Sequence, residues 1–229
     1  MANHENKNLM EREKEFSASY RWQHWIRAFS IVALIFTGFY IADPFLTPEP
    51  NSEPTNFQQA LMRGWHEIIG WVLIAAFFFK SYLFLFTREH RGEMASLKDL
   101  FDPKVWVQQV GYYMLIAKHP KLKGIYNPIQ FVAYAGFYLM LFGIIITGLV
   151  LYVHTTHLGL GDMLYGPMRS LEVMMGGLAN VREIHHILMW GIIIFVVGHI
   201  YMAVYNAVFG KEGAMDAVFS GMKWKHEDH

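Results

Sequence analysis

Four long apolar runs, Trp25–Asp43, Ile68–Phe86, Pro128–His154 and Ile184–Val208, constrain this chain more than any other feature. The hydrocarbon core of a bilayer is about 30 Å thick, and roughly 20 mostly apolar residues span it as a helix. The runs are continuous rather than alternating. They therefore suit helices and not the strands of a barrel, the other structure that leaves no backbone polar group unpaired in lipid. The expected fold class is an all-α membrane protein, a four-transmembrane-helix bundle, with little of the 229 residues left for a further globular domain. The organisation expected is an N-terminal segment 1–19, a bundle 20–210 and a tail 211–229. The first 24 residues are polar and charged with no short apolar core behind them, so no cleavable signal is expected.

Charge gives the orientation. With four spans both termini share one side with the Thr87–Asn127 loop, and of 19 Lys and Arg only Arg63, Arg169 and Arg182 fall on the other. The positive-inside rule then puts both termini and that loop in the cytoplasm. Within the loop, Leu97–Lys118 is too short and interrupted to cross, and is expected to lie flat as an interfacial cytoplasmic segment. On the outer side, Pro44–Arg63 reads as a connector, and Thr155–Val181, with its Leu171–Met175 stretch, as a place for a partner to dock. The absence of cysteine excludes iron–sulfur clusters, thiolate metal sites and covalently attached haem in this chain.

Ionisable side chains are expensive within a bilayer and mark functional paths. His185 and His199 stand fourteen residues apart on the last run, a helical rise of about 21 Å, and about 100° per residue leaves them within roughly 40° of one side. The alternating span directions place His24 at the inner end of the first span and His66 at the outer end of the second. His185 is then outer and His199 inner. Two same-level pairs result, His66 with His185 and His24 with His199, which is the arrangement two stacked bis-histidine b-type haems require. The chain reads as an electron carrier fed by a partner. For any one histidine an interhelical hydrogen bond serves equally well; the pairing by level favours haem.

Other polar positions leave alternatives open. His186 competes with His185 as the fourth ligand, or bonds a neighbouring helix or a haem propionate. Arg27 and Arg182 pair with propionates or snorkel from helix ends. Gly38, Gly70 and Gly198 admit either a flat ring or close helix packing. His154 and His157 read as loop residues before a metal site. His4, His90, His226 and His229 read as solvated, and His119 as structural or as a proton-uptake group. Asn127 and Gln130, one turn apart, are candidates for quinone contact, with Tyr126 beside them, or else Asn127 caps a helix ahead of Pro128.

Several segments match a known family: Arg21-Trp22-Gln23-His24-Trp25, Thr37-Gly38, Tyr126-Asn127-Pro128-Ile129, Thr147-Gly148, and His185-His186-Ile187-Leu188-Met189-Trp190 through Gly198-His199-Ile200-Tyr201-Met202-Ala203. From about Tyr20 to Val208 the chain resembles the cytochrome b subunit of membrane-bound, quinone-reactive NiFe hydrogenases. It is also related to the cytochrome b subunit of formate dehydrogenase, which shares the helix plan with fewer of these motifs. The resemblance implies two haem b in a bacterial inner (cytoplasmic) membrane. It also implies a periplasmic NiFe hydrogenase of small and large subunits as electron donor, and quinone, menaquinone first, as acceptor. In that family this subunit passes electrons and reduces quinone without oxidising hydrogen itself. Outside this reading stand a cofactor-free anchor, a metal-cation transporter and the cytochrome of another dehydrogenase. A transporter would gather its ligands near the midplane, whereas these histidines lie at two levels.

Overall fold

The computed structural model describes residues 10–45, 57–87, 90–114, 116–118, 120–124, 126–205, 207–208 and 214–226. Among these, four helices are long and apolar enough to cross a bilayer: α1 (Ala18–Ala42), α2 (Phe57–Phe86), α5 (Pro128–Tyr152) and α7 (Leu178–Tyr205). The chain is thus the expected all-α membrane protein in its spans. Between them come α3 (His90–Leu100), α4 (Pro103–Tyr113) and α6 (Leu160–Met174), with α8 (Ala214–Ser220) near the end. The chain divides into two compact units, residues 26–195 and residues 1–25 with 196–229.

In the larger unit, α2 and α7 begin earlier than the apolar runs. Phe57–Arg63 and Leu178–Val181 read as the ends of loops, yet they continue the helical ladder. The region expected as one flat segment is two helices. Asp102 breaks them apart, its side chain accepting from the amide of Lys104 as the N-cap of α4, with Pro103 in the first turn. Asp99, fully buried on α3, accepts from the amides of Lys123 and Gly124 at 2.8 and 3.2 Å, and Ser96 Oγ accepts from the amide of Tyr126 at 3.0 Å. The chain entering α5 is therefore tied down on α3. A Cβ on Gly124 would run into Ser96.

Asn127 starts α5 with a capping box. Its Oδ1 accepts from the Gln130 amide at 2.9 Å, and Gln130 Oε1 accepts from the Asn127 amide at 3.2 Å. Asn127 Nδ2 also donates to the Tyr113 hydroxyl at 3.0 Å, which joins α4 to α5. Further along, Phe137 on α5 stacks on Phe195 of α7 with ring centres 4.2 Å apart. Arg27 donates to the Tyr138 hydroxyl and lies 5.2 Å from that ring's centre.

The loop expected over Thr155–Val181 contains a helix, α6. Its Met168 is buried with Val150, Val153 and Val181, and Leu164 and Leu171 pack on the same cluster. Spacings of three and four residues put Leu164, Met168 and Leu171 on one face, so α6 lies along the end of α5 and the start of α7. Gly176 and Gly177, at φ 86° and 99°, take the left-handed backbone that turns α6 into α7. Glu172 is buried on the same side, accepting from Arg169 and meeting His154 Nε2 at 2.6 Å. The hydrogen bond from Arg169 is the main cause that holds this carboxyl below its ordinary value of 4.5; the His154 contact adds to it and burial works against it.

The smaller unit contains an addition to the helical plan. Strands β1 (Met10–Lys14) and β2 (Met222–His226) pair antiparallel, Met10 opposite His226 and Lys14 opposite Met222. The amides of Glu15 and Phe16 both donate to the Gly221 carbonyl, and Trp25 Nε1 donates to the Val218 carbonyl at 3.3 Å. The expected terminal segments are described in part; His4, His119, His229 and the side chains of His90 and His226 lie outside the described residues.

Loss of the cap by Asn127→Ala is expected to cost about 1 kcal/mol, read as a lower unfolding midpoint in detergent; an unchanged midpoint would remove the box from the stability of α5. Glu172 supplies a second measurable quantity. A depressed carboxyl contributes stability above its unfolded value of 4.5, which is lost as pH falls through the lower folded value. Hydrogen-exchange protection across α6, taken relative to the intrinsic amide rate at each pH, should fall with acid in that window, and Glu172→Gln should flatten the dependence. Identical profiles for the two proteins would contradict this.

Candidate haem-binding sites

In the larger unit, α2 carries His66 and α7 carries His185, and their rings face each other with centres 6.4 Å apart at 61°. In the smaller unit, α1 carries His24 and α7 carries His199, with ring centres 6.3 Å apart at 49°. All four rings are half-buried. The same two pairs follow from span direction alone. His186 is exposed, and it is His185 that faces His66.

These separations test whether the residues suit a haem iron. A metal–imidazole bond of about 2 Å on each side, plus about 1.1 Å from ring nitrogen to ring centre, puts two axial imidazoles with centres roughly 6.3 Å apart. Both pairs have that spacing. Two rings joined by a direct hydrogen bond would bring their nitrogens to about 3 Å and their centres to roughly 5 Å, closer than the centres of either pair. Among the described residues no cluster of three or more His, Cys, Asp or Glu could hold a metal ion otherwise. The donor set is imidazole alone, which suits a non-covalently held b-type haem.

The surroundings of His66 and His185 repeat one design. Thr37 Oγ1 on α1 lies 2.9 Å from His66 Nδ1, and Thr147 Oγ1 on α5 lies 2.8 Å from His185 Nδ1. Each threonine precedes a glycine. A Cβ on Gly38 would sit 3.5 Å from His66 Cε1, and one on Gly148 3.6 Å from His185 Cε1, both ordinary contact distances. No clash with either ring demands glycine. What its absent side chain leaves is space beside each imidazole, where a flat macrocycle needs it.

The remaining sequence candidates have other partners. Arg27 is engaged with Tyr138, and Arg182 is exposed. His154 bonds Glu172 rather than forming a metal pair with His157. Asn127 and Gln130 are brought together as the capping box, with Asn127 keeping one amide hydrogen beyond its bond to Tyr113 and Gln130 keeping its Nε2 group beyond the box. Tyr126 stands beside them, its ring centre 4.9 Å from that of Tyr134. The contribution of Thr37 and Thr147 was not legible from residue type, because a threonine in an apolar run reads as a small residue at a helix contact. The one available signal was the recurrence of Thr-Gly on two spans.

Residues 15–221 match the family described as prokaryotic cytochrome b561. Several similar proteins are named probable Ni/Fe-hydrogenase B-type cytochrome subunits. One from Rhizobium leguminosarum bv. viciae is 29% identical over 214 residues, covering 90% of this chain and 86% of that protein. One from Azotobacter vinelandii is 28% identical over 222 residues, 93% of this chain and 89% of that protein. The Escherichia coli (strain K12) protein, of Ni/Fe-hydrogenase 1, is 26% identical over 217 residues, 91% of this chain and 89% of that protein. Paired imidazoles on membrane-spanning helices and a match over nearly the whole chain lead to one assignment: the chain belongs to the prokaryotic cytochrome b561 family.

Proposed function

We propose that this chain is the dihaem cytochrome b of a hydrogenase complex, carrying electrons from the small and large subunits of a Ni/Fe hydrogenase to membrane quinone. The observation that carries the reading is two facing histidine pairs, one in each unit, each drawing one histidine from α7. His66 with His185 would hold one haem b, and His24 with His199 a second. A haem held by these imidazoles would supply one-electron transfer rather than bind a substrate. The names of the similar proteins support the hydrogenase as donor. The distribution of Lys and Arg supports termini on the cytoplasmic side of the inner membrane and a hydrogenase on the periplasmic side.

For the acceptor, the start of α5 offers what a quinone needs. Gln130 Nε2 and the second amide hydrogen of Asn127 are donors for the carbonyls, and Tyr126 and Tyr134 supply ring surface. The Thr87–Asn127 loop lies on the proposed cytoplasmic side. Protons taken up there, with electrons arriving from outside, would separate charge across the membrane. Menaquinone is the first choice of acceptor, with ubiquinone the alternative.

Purified chain should give two b-type haems by pyridine haemochrome. His66→Ala, His185→Ala, His24→Ala and His199→Ala should each lose one, while His186→Ala keeps both. Haem-free protein from a haem-replete host would overturn the reading, and nickel co-purifying with the complex separates hydrogenase from other dehydrogenases. Gln130→Glu keeps the acceptor of the capping box and removes the donors. It is expected to retain both haems and to slow hydrogen-dependent quinone reduction by up to about tenfold, the worth of one hydrogen bond of about 1.4 kcal/mol. Unaltered reduction would remove Gln130 from the quinone site.

A further inference from the structure

Each threonine beside a ligand histidine makes two kinds of contact at once. Thr37 Oγ1 lies 2.8 Å from the Ala33 carbonyl and 2.9 Å from His66 Nδ1. Thr147 Oγ1 lies 2.9 Å from the Gly143 carbonyl and 2.8 Å from His185 Nδ1. A hydroxyl has a single hydrogen, and a carbonyl oxygen can only accept. Were that hydrogen turned to the imidazole, two oxygen lone pairs would face each other at 2.8 or 2.9 Å with nothing between them. The hydrogen therefore goes to the carbonyl four residues back, the usual bond of a threonine inside a helix. The lone pair left on Oγ1 faces Nδ1, and the ring must bring the proton.

We propose that Thr37 and Thr147 are positioning residues that hold His66 and His185 with the proton on Nδ1, so that both Nε2 lone pairs point to one iron. The proposal rests on these two histidines being haem ligands. It extends that reading to what fixes the tautomer and the ring angle of each ligand and tunes its donor strength. An acceptor at Nδ1–H makes an imidazole a stronger donor through Nε2. A neutral hydroxyl accepts less strongly than a carboxylate, so the effect is present and moderate.

Two threonines on different helices, α1 and α5, reach two histidines on α2 and α7 with nearly equal distances. One such contact is an ordinary interhelical bond. Two of them, one to each ring of a facing pair, make a matched support on both sides of the space between the rings.

The test uses the complete chain with its haems, and the His24–His199 haem serves as internal control. Thr37→Val and Thr147→Val keep shape and remove the acceptor. Each should retain two haems, shift the largest g value of the His66–His185 haem in its electron paramagnetic resonance spectrum as the ring angle is released, and raise that haem's midpoint potential as donor strength falls. The control haem should keep its own values. Thr37→Ser and Thr147→Ser keep the hydroxyl and should match the parent protein. If a valine variant assembles too little haem to measure, the alanine variant at that position is read the same way.

Valine or alanine variants with parental g values and potential would overturn the proposal, as would serine variants shifted as far as valine, which would assign the effect to packing. Failure of the underlying reading looks different: His66→Ala would then leave haem content unchanged.

Discussion

An imidazole placed among membrane helices has two nitrogens to satisfy, and no water to satisfy them with. At His66 and His185 that constraint is met asymmetrically. Nδ1 of each ring has a threonine hydroxyl, and the two ring centres lie 6.4 Å apart. A ring with one nitrogen bonded to a fixed neighbour has little freedom to turn, so the second nitrogen is aimed by the first. The arrangement of α1, α2, α5 and α7 in the larger unit follows from it, since two of these helices supply the rings and the other two supply what the rings lean on.

Packing around that centre keeps the helices in register. Phe137 on Phe195 closes α5 against α7 within the apolar interior. At one end of α5 the capping box and the Tyr113 contact fix where the helix begins, and Asp99 with Ser96 fixes the chain leading into it. At its other end α6 covers the junction with α7, its Arg169 and Glu172 bonded to each other and Glu172 to His154, and its apolar face given to Met168 and its neighbours. Polar residues at span ends thus satisfy backbone and loop groups. Within the spans, Thr37 and Thr147 address histidine, while Arg27 and Tyr138 bond each other.

Span number, helix class and the pairing of four histidines were all legible in the residues, because each depends on periodicity and on the alternating direction of successive spans. Periodicity favoured His185 over His186, which stands thirteen residues from His199 and about 140° off its direction, but it left open how the helix is rotated toward its neighbours. Packing against α1 and α5 sets that rotation. The start of α2 at Phe57 and the existence of α6 were hidden for another reason. Both segments are polar or glycine-bounded, and neither needs an unbroken apolar run once it can lie on neighbours already in place. The β1–β2 pair joins residues over two hundred positions apart, which local pattern does not reveal. Asn127 and Gln130 carried two readings in the sequence. The capping box they form explains why those residue types occur there, and it leaves their spare amide hydrogens for a ligand.

Threonine, rather than a carboxylate, suits its position beside the rings for an energetic reason. Aspartate or glutamate would accept more strongly from Nδ1–H and donate more electron density through the ring, but its own charge would have to be carried in low dielectric, at several kcal/mol unless paired. A water would need two or more further polar partners and space to sit in. Threonine avoids both costs, since its hydrogen is absorbed by a carbonyl of its own helix four residues earlier, leaving a neutral acceptor whose direction is set by a stiff χ1. The following glycine then leaves the adjoining volume open. A Thr-Gly step on an apolar helix thereby provides a self-contained holder for an imidazole, and it can be repeated on a second helix without adding charge, water or a further partner.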